Sequence, residues 1–352
     1  MAVSSVQVLG TRQTRPSFLK PLTAPLHSPS PDEPHTLASI LHLTNSVTQN
    51  VLAFNIFDPT KTHVSFDRAR SPLAGENDVD VTINLHEKPR FAAQTGTWAG
   101  DGEATAQMSA RAENLFGGAE RVEGTLEAGT RTRKAWEVKV QSPIAARSDV
   151  LGEVSVFGMA RDYKFFASHE LVQRGAHLKL KVHTPIRICV TNCGQTLSNV
   201  GVHDVMVSTI LRQVTALTSM ASPTVIESAG DTIKTSLAHT ITRDRRDDTL
   251  LPSQGYLLKS TQEFAGLGGG DVRFLKATGE AQLIKTFPIW PRTHFVFGVR
   301  GGLLWSLERA KGTRVTDRFL LGGPTDVRGF REFGIGPKDG STYHDPFSVG
   351  RG

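Results

Sequence analysis

Several groups of residues in this 352-residue chain have the types and spacing to do chemistry. One is the string Leu320-Leu321-Gly322-Gly323-Pro324-Thr325-Asp326-Val327-Arg328-Gly329-Phe330. Gly322, Gly323 and Gly329 permit a tight backbone, and the Arg328 guanidinium can fork onto carbonyls or a carboxylate in a polar cavity. A second is Thr242-Arg243-Asp244-Arg245-Arg246-Asp247-Asp248, followed by Pro252 and Gly255-Tyr256. The carboxylates of Asp244, Asp247 and Asp248 could hold a hard cation, but three interleaved arginines neutralise them and the EF-hand spacing is absent. The residues are therefore expected to form a salt-bridged hairpin end that shapes a turn, with no metal. Cys189 and Cys193 are too few for a disulfide framework, and without a further Cys or a His pair they make a poor zinc site. Gly266 to Gly270 lacks the Lys-Ser/Thr of a phosphate loop, and the 12 histidines show no H-E-x-x-H spacing. The sequence points to no cofactor and no catalytic constellation. Arg131, Arg133 and Lys134 read as a charged strand end at lipid headgroups rather than a nucleic-acid contact.

The elements that must position these residues are mostly strands. Forty Lys+Arg against 34 Asp+Glu give a net charge of +6, too mild to imply a nucleic-acid partner. Hydrophobic residues make up 38%, mean hydropathy is −0.21, and no uncharged apolar run approaches the ~20 residues of a spanning helix. Helical membrane anchoring is excluded, whereas a transmembrane barrel of alternating strands is not. Alternation is clear at Trp136, Val138 and Val140, at Leu178, Leu180 and Val182, and at Phe295, Phe297, Val299, Leu303 and Trp305. Similar stretches from residue 91 to 318 bring the expectation to about eleven strands. Their length, and Glu, Lys, Arg or Gln on the second face of strand after strand, favour a barrel over a soluble sandwich.

Ahead of Pro89 the pattern differs. A strand at Val6 and Val8 is followed by a stretch holding Pro16, Pro21, Pro25, Pro29 and Pro31. Residues 1 to 31 lack acids and have a transit-peptide composition, but these prolines are expected to break the amphipathic helix such peptides form. No secretory signal is expected, since nothing before Arg12 supplies an apolar core behind a basic start. Leu37, Ile40, Leu41, Val47, Val51, Leu52 and Phe54 then follow helical spacing behind Asp32-Glu33-Pro34, and two strands follow around Val64 and from Val79 to Leu85. Residues 1–90 are thus expected to form a small α+β domain, and residues 91–352 the barrel.

Val327-Arg328-Gly329-Phe330 resembles the signature of the outer-membrane barrel-assembly superfamily, also called the bacterial surface antigen family. The preceding Gly-Gly-Pro-Thr makes the string most similar to its mitochondrial branch. Asp244, Arg246, Asp247, Pro252 and Gly255 resemble the family's Asp-x-Arg-Asp, Pro, Gly-Tyr strand-turn element. The front module resembles its polypeptide-transport-associated (POTRA) domain of strand, two helices and two strands, ending in Glu87-Lys88-Pro89. The resemblance implies a mainly β protein, a transmembrane antiparallel β-barrel preceded by a POTRA-like domain. It implies a loop folded back into the lumen, with Arg328 against the inner wall, and a lateral gate at a first strand with Phe91, Ala93, Thr95 and Thr97.

It further implies insertion and assembly of β-barrel proteins into the mitochondrial outer membrane, without enzymatic activity, and a front domain facing the intermembrane space. The implied partners are unfolded β-barrel precursors, accessory subunits of the sorting and assembly machinery, and outer-membrane lipid; metal, cofactor and nucleic acid are not among them. Family barrels close with more strands than eleven, so the sequence reads as an incomplete barrel, truncated after the lumenal loop. The alternatives are a passive truncated form, or a bacterial or plastid homologue. The stretch around Cys189 and Cys193 matches no family pattern.

Overall fold

The computed structural model describes residues 3–27, 36–69, 78–100, 103–187, 198–219, 221–287, 293–308, 312–323, 326–330 and 333–336. Asp32, Glu33, Pro34, Cys189, Cys193 and Pro324 lie outside them. The chain divides into two compact units. One holds residues 1–94 with 110–124 and 139–152, and the other holds 95–109, 125–138 and 153–352.

In the first unit, β1 (Val3–Leu9), α1 (Pro16–His27), α2 (Leu37–Leu52), β2 (His63–Arg68) and β3 (Val79–Asn84) follow in order. The strands make a three-stranded sheet ordered β1-β3-β2, with β1 parallel and β2 antiparallel to β3. Leu19 and Leu26 of α1 pack with Val47 and Val51 of α2 and with Val81 and Ile83 of β3, and Ile56, Phe57 and Leu85 complete that core. Thr36 starts α2 through a reciprocal capping box with Ser39, which satisfies two of the amides that a helix start leaves open. Thr44 and Thr48, buried on the same helix, turn their hydroxyls back onto the carbonyls of Ile40 and Thr44 at 2.8 Å.

The helix α1 corrects the sequence reading of its prolines. Pro21 and Pro25 lie inside it, and it continues past both. Each proline forfeits one intrahelical bond and crowds the preceding turn. Burial of Leu19, Thr23 and Leu26 against the rest of the core outweighs that penalty. The Thr23 hydroxyl donates to the Leu19 and Lys20 carbonyls in the turn before it, 3.3 Å from each.

The remaining strands form one eleven-stranded sheet in strict chain order. They are β4 (Phe91–Gly100), β5 (Glu103–Glu113), β6 (Arg121–Gly129), β7 (Thr132–Pro143), β8 (Val150–Asp162), β9 (Glu170–Arg187), β10 (Ser198–Thr215), β11 (Gly230–Asp244), β12 (Gly255–Ala265), β13 (Phe274–Thr286) and β14 (His294–Ser306). The order is linear, with β4 and β14 at its two edges. The sheet is antiparallel, and the registers from β9 to β14 set alternate residues on opposite faces. One face carries exposed Leu178, Val207, Leu237, Leu258, Leu275, Phe297, Leu303 and Trp305. The other carries Arg212, Lys234, Ser236, Glu263, Lys276, Glu280 and Arg300. Apolar groups exposed to one side and charges gathered on the other suit a wall between lipid and water. No described helix is long and apolar enough to cross a membrane. Two short helices, α3 (Lys164–Ala167) and α4 (Pro223–Glu227), cap loops at one end.

Candidate functional site

After β14 the chain turns back onto the charged face of the sheet. A single helical turn at Val315–Asp317 places Asp317 against three strands. Its Oδ1 accepts from Arg212 Nη1 of β10 at 2.7 Å and lies 3.6 Å from Lys234 Nζ of β11. Its main-chain oxygen accepts from Lys276 Nζ of β13 at 2.9 Å. Arg212 also donates to Thr316 Oγ1 at 3.2 Å, and Lys234 pairs with Glu263 of β12. Lys276 lies over the Phe319 ring, 4.5 Å from its centre. Asp317 is only 2% exposed and Arg212 only 5%. A carboxylate so deeply buried needs cationic and hydrogen-bonding partners to hold its charge, and β10, β11 and β13 supply them. Val315 adds an apolar contact with Ala167 and Val225, with Leu320 and Phe333 around them.

The glycine-rich string follows directly. Gly322 and Gly323 are buried, both at φ +113°, a conformation that side chains rarely adopt. The Phe333 amide bonds to the Gly322 carbonyl at 3.2 Å, and Ile335 bonds to Leu321 at 3.1 Å, so the segment folds on itself. Asp326 is salt-bridged to Arg300 of β14, which ties the string to a fourth strand. Val327 is half-buried, and Arg328, Gly329 and Phe330 are exposed in a turn closed by the Phe330 amide on the Val327 carbonyl at 3.4 Å. Among the described residues, therefore, the charged contacts that fix the segment come from Asp317 and Asp326, with the Arg328 side chain exposed. Sequence reasoning passed over Asp317, Arg212, Lys234 and Lys276. For the three cations the signal was parity: on its strand each occupies the alternation opposite to the apolar residues.

The second motif closes the β11–β12 hairpin. Asp247 accepts from the Ser253 hydroxyl and from the amides of Asp248, Ser253 and Gln254. The Ser253 hydroxyl above all, and then the Gln254 amide, hold its carboxyl far below the usual carboxylate range. Asp244 takes Arg246 in a two-pronged pair, at 2.9 Å from Nε and 2.7 Å from Nη2. Asp248 accepts from the amides of Leu250 and Leu251. All three carboxylates are thus engaged in building the turn. Gly255, at φ +113°, could carry no side chain, because its first carbon would overlap the Arg245 carbonyl oxygen. Pro252 lies half-buried in the same turn.

Phe91, Ala93, Thr95 and Thr97 all lie exposed on the edge strand β4. Its start is held by Arg90, which donates to the Leu115 carbonyl at 2.9 Å and to Gln13 Oε1 at 3.1 Å. Nearby, Glu87 accepts from the Thr14 hydroxyl at 2.7 Å and from the amides of Thr14 and Gln13. Burial pushes the Glu87 carboxyl up, but these bonds together outweigh it and hold the group below its ordinary value. Asn114 donates to Thr14 Oγ1 at 2.9 Å, and Arg15 pairs with Glu120 at 3.0 Å, so the turn after β5 grips the β1–α1 connection.

Comparison with known proteins gives these features a context. A family profile described as the Omp85 superfamily domain matches residues 114–348. A SAM50-like protein of Schizosaccharomyces pombe is 36% identical over 97% of this chain and 69% of its own length. The sorting and assembly machinery component 50 homolog of Xenopus tropicalis is 29% identical over 87% of this chain and 61% of its own length. The sorting assembly machinery 50 kDa subunit of Saccharomyces cerevisiae is 26% identical, and the match takes in 59% of it. Among solved structures, BamA from Haemophilus ducreyi lacking POTRA domains 1–3 superposes with a TM-score of 0.74 at 14% identity, over 96% of this chain and 62% of that one.

Proposed function

Because the chain belongs to the Omp85 superfamily, we propose that it is the barrel subunit of a machinery that inserts and assembles β-barrel proteins in the mitochondrial outer membrane. The observation that carries this reading is the returning segment held on the charged face of an eleven-stranded sheet whose other face is apolar. The curated relatives it matches are named as a SAM50-like protein or as sorting and assembly machinery subunits, and the chain spans about six- to seven-tenths of their length.

In this reading residues 91–352 belong to the membrane barrel, and residues 1–90, with the element order strand, helix, helix, strand, strand, are a POTRA-like domain in the intermembrane space that receives precursors. The edge of β4, with Phe91, Ala93, Thr95 and Thr97, offers an incoming strand backbone groups that no described strand pairs, the chemistry of strand addition. The buried ion pairs of Asp317 keep the returning segment within the lumen, where Arg328 and Phe330 stand exposed on it. The Asp244–Gly255 turn keeps the β11–β12 hairpin in register. The partners are unfolded β-barrel precursors, accessory subunits of the machinery and outer-membrane lipid. The role makes and breaks no covalent bond.

The test is site-specific crosslinking of an arrested barrel precursor to the full-length protein in mitochondria. Photoreactive residues at 91, 93, 95 and 97 are expected to give precursor adducts, and the same residue at Leu178, in the middle of the sheet, none. Absence of adducts along β4 would overturn the reading.

A further inference from the structure

We propose that the outward face of β10–β12 is a docking site for a membrane-spanning segment of another protein, recognised through hydrogen bonds. The proposal rests on reading the sheet as a membrane wall. Within that apolar face lie His203 of β10, His239 of β11, and Ser260 and Gln262 of β12. Register makes them neighbours: Gln262 stands opposite His239, and His239 stands opposite Val205, one step along the same face from His203. His203 Nδ1 and His239 Nε2 are 3.3 Å apart, with ring centres separated by 5.5 Å and planes inclined by 18°. Those dimensions describe two nearly parallel rings meeting edge to edge, one donating and the other accepting. Gln262 Nε2 donates to Ser260 Oγ at 3.2 Å. The second nitrogen of each ring and the Gln262 carbonyl oxygen have no partner among the described residues. Acyl chains supply none, and an unsatisfied polar group in hydrocarbon is costly.

The position of the patch selects its occupant. Leu258 and Phe264 bracket Ser260 and Gln262 along β12, and Leu237 and Ile241 bracket His239 along β11. Apolar residues on both sides along the strands put the patch at acyl-chain depth, away from the headgroups. Beside it the wall is notched. Ala277 stands opposite Gln262, Gly279 opposite Ser260, and Gly301 opposite Gly279. A methyl group added at Gly279 or Gly301 would meet nothing within 4 Å. Small residues beside hydrogen-bonding ones let a second backbone approach closely inside a membrane. The occupant that fits is a spanning helix whose own carboxamide, hydroxyl or carboxyl side chain reaches the imidazole edges and Gln262.

The experiment uses the full-length protein in its native membrane, with a photoreactive residue at 260 or 262, and at 283 on the apolar face for comparison. The expected result is a discrete adduct from 260 and 262. Its crosslinked peptide should map to the hydrophobic spanning segment of a different integral membrane protein, next to a polar residue. With the photoreactive residue at 260, the adduct should fall about tenfold in the H203L/H239L/Q262L variant, the loss expected for one or two intramembrane hydrogen bonds. Position 283 should give lipid adducts alone. Lipid-only adducts at 260 and 262, adducts with a second copy of this chain, or a protein adduct insensitive to the triple variant would each overturn the proposal. Q262L alone, probed from 260, keeps the test available where the triple variant does not integrate. Carbonate extraction of the same membranes separates the two claims. Recovery of the unaltered protein in the soluble fraction removes the membrane reading itself, and retention in the pellet without an adduct removes the docking site alone.

Discussion

Asp317 and Asp326 tether the same segment, yet their surroundings assign them very different weights. Asp317 is buried against Arg212 and Lys234, so Asp317→Asn leaves buried cations without their counter-charge, a change that costs about 3–5 kcal/mol. The Arg300 side chain of the second pair is 62% exposed, so Asp326→Asn should cost less than about 1 kcal/mol. Denaturant unfolding in detergent, followed by tryptophan fluorescence, should separate the two variants by that margin. Asp247 makes a pH prediction. Its folded carboxyl binds a proton less readily than the unfolded chain does, so the stability it supplies is present above the unfolded carboxylate range and is lost as pH falls through the lower folded value. Amide protection at Ser253 and Gln254, corrected for intrinsic exchange, should hold from neutral pH down to about pH 5 and fall only in stronger acid. Asp247→Asn should lower that protection across the whole window. Sequence spacing exposed the turn-building carboxylates because their partners lie within ten residues. It hid Asp317 because its partner Arg212 lies 105 residues away and nothing local marks the pairing.

At the scale of elements, strand alternation was legible and the first helix was not. A strand that separates lipid from water must alternate, so its sequence declares both its existence and its faces. The α1 stretch carries two internal prolines, and local propensity argues against the helix that tertiary burial imposes. Pro21→Ala should therefore restore the missing bond and raise stability by about 1–3 kcal/mol, less what the unfolded chain gains in freedom. The same fluorescence-monitored unfolding reads it out, and an unchanged midpoint would mean that the proline ring contributes packing equal to the bond it forfeits. The α2 helix shows the opposite case, its periodic Ile40, Val47 and Val51 buried along one side, although the Thr36–Ser39 cap that starts it came only with the structure.

For the whole molecule, the two faces of the sheet predict opposite tolerances. Leu303 is 77% exposed on the apolar face, so Leu303→Arg should cost about 2–4 kcal/mol at mid-membrane depth. Thr278→Arg, on the charged face of β13, should be tolerated. The fraction resistant to carbonate extraction is expected to fall for the first variant alone. The family resemblance was carried by two short strings and the front module, whereas the wall that holds one of those strings became visible only once eleven strands stood side by side. That wall also has a kinetic meaning. Asp317 meets Arg212, Lys234 and Lys276 only when the four strands β10 to β13 are paired so that all three cations share a face. A slip of one residue between β10 and β11 would send Lys234 to the far side of the sheet and leave Asp317 without it. The returning segment, which follows every strand it touches, can thus seat only on a correctly aligned wall, and its docking reports that the strands before it are in register.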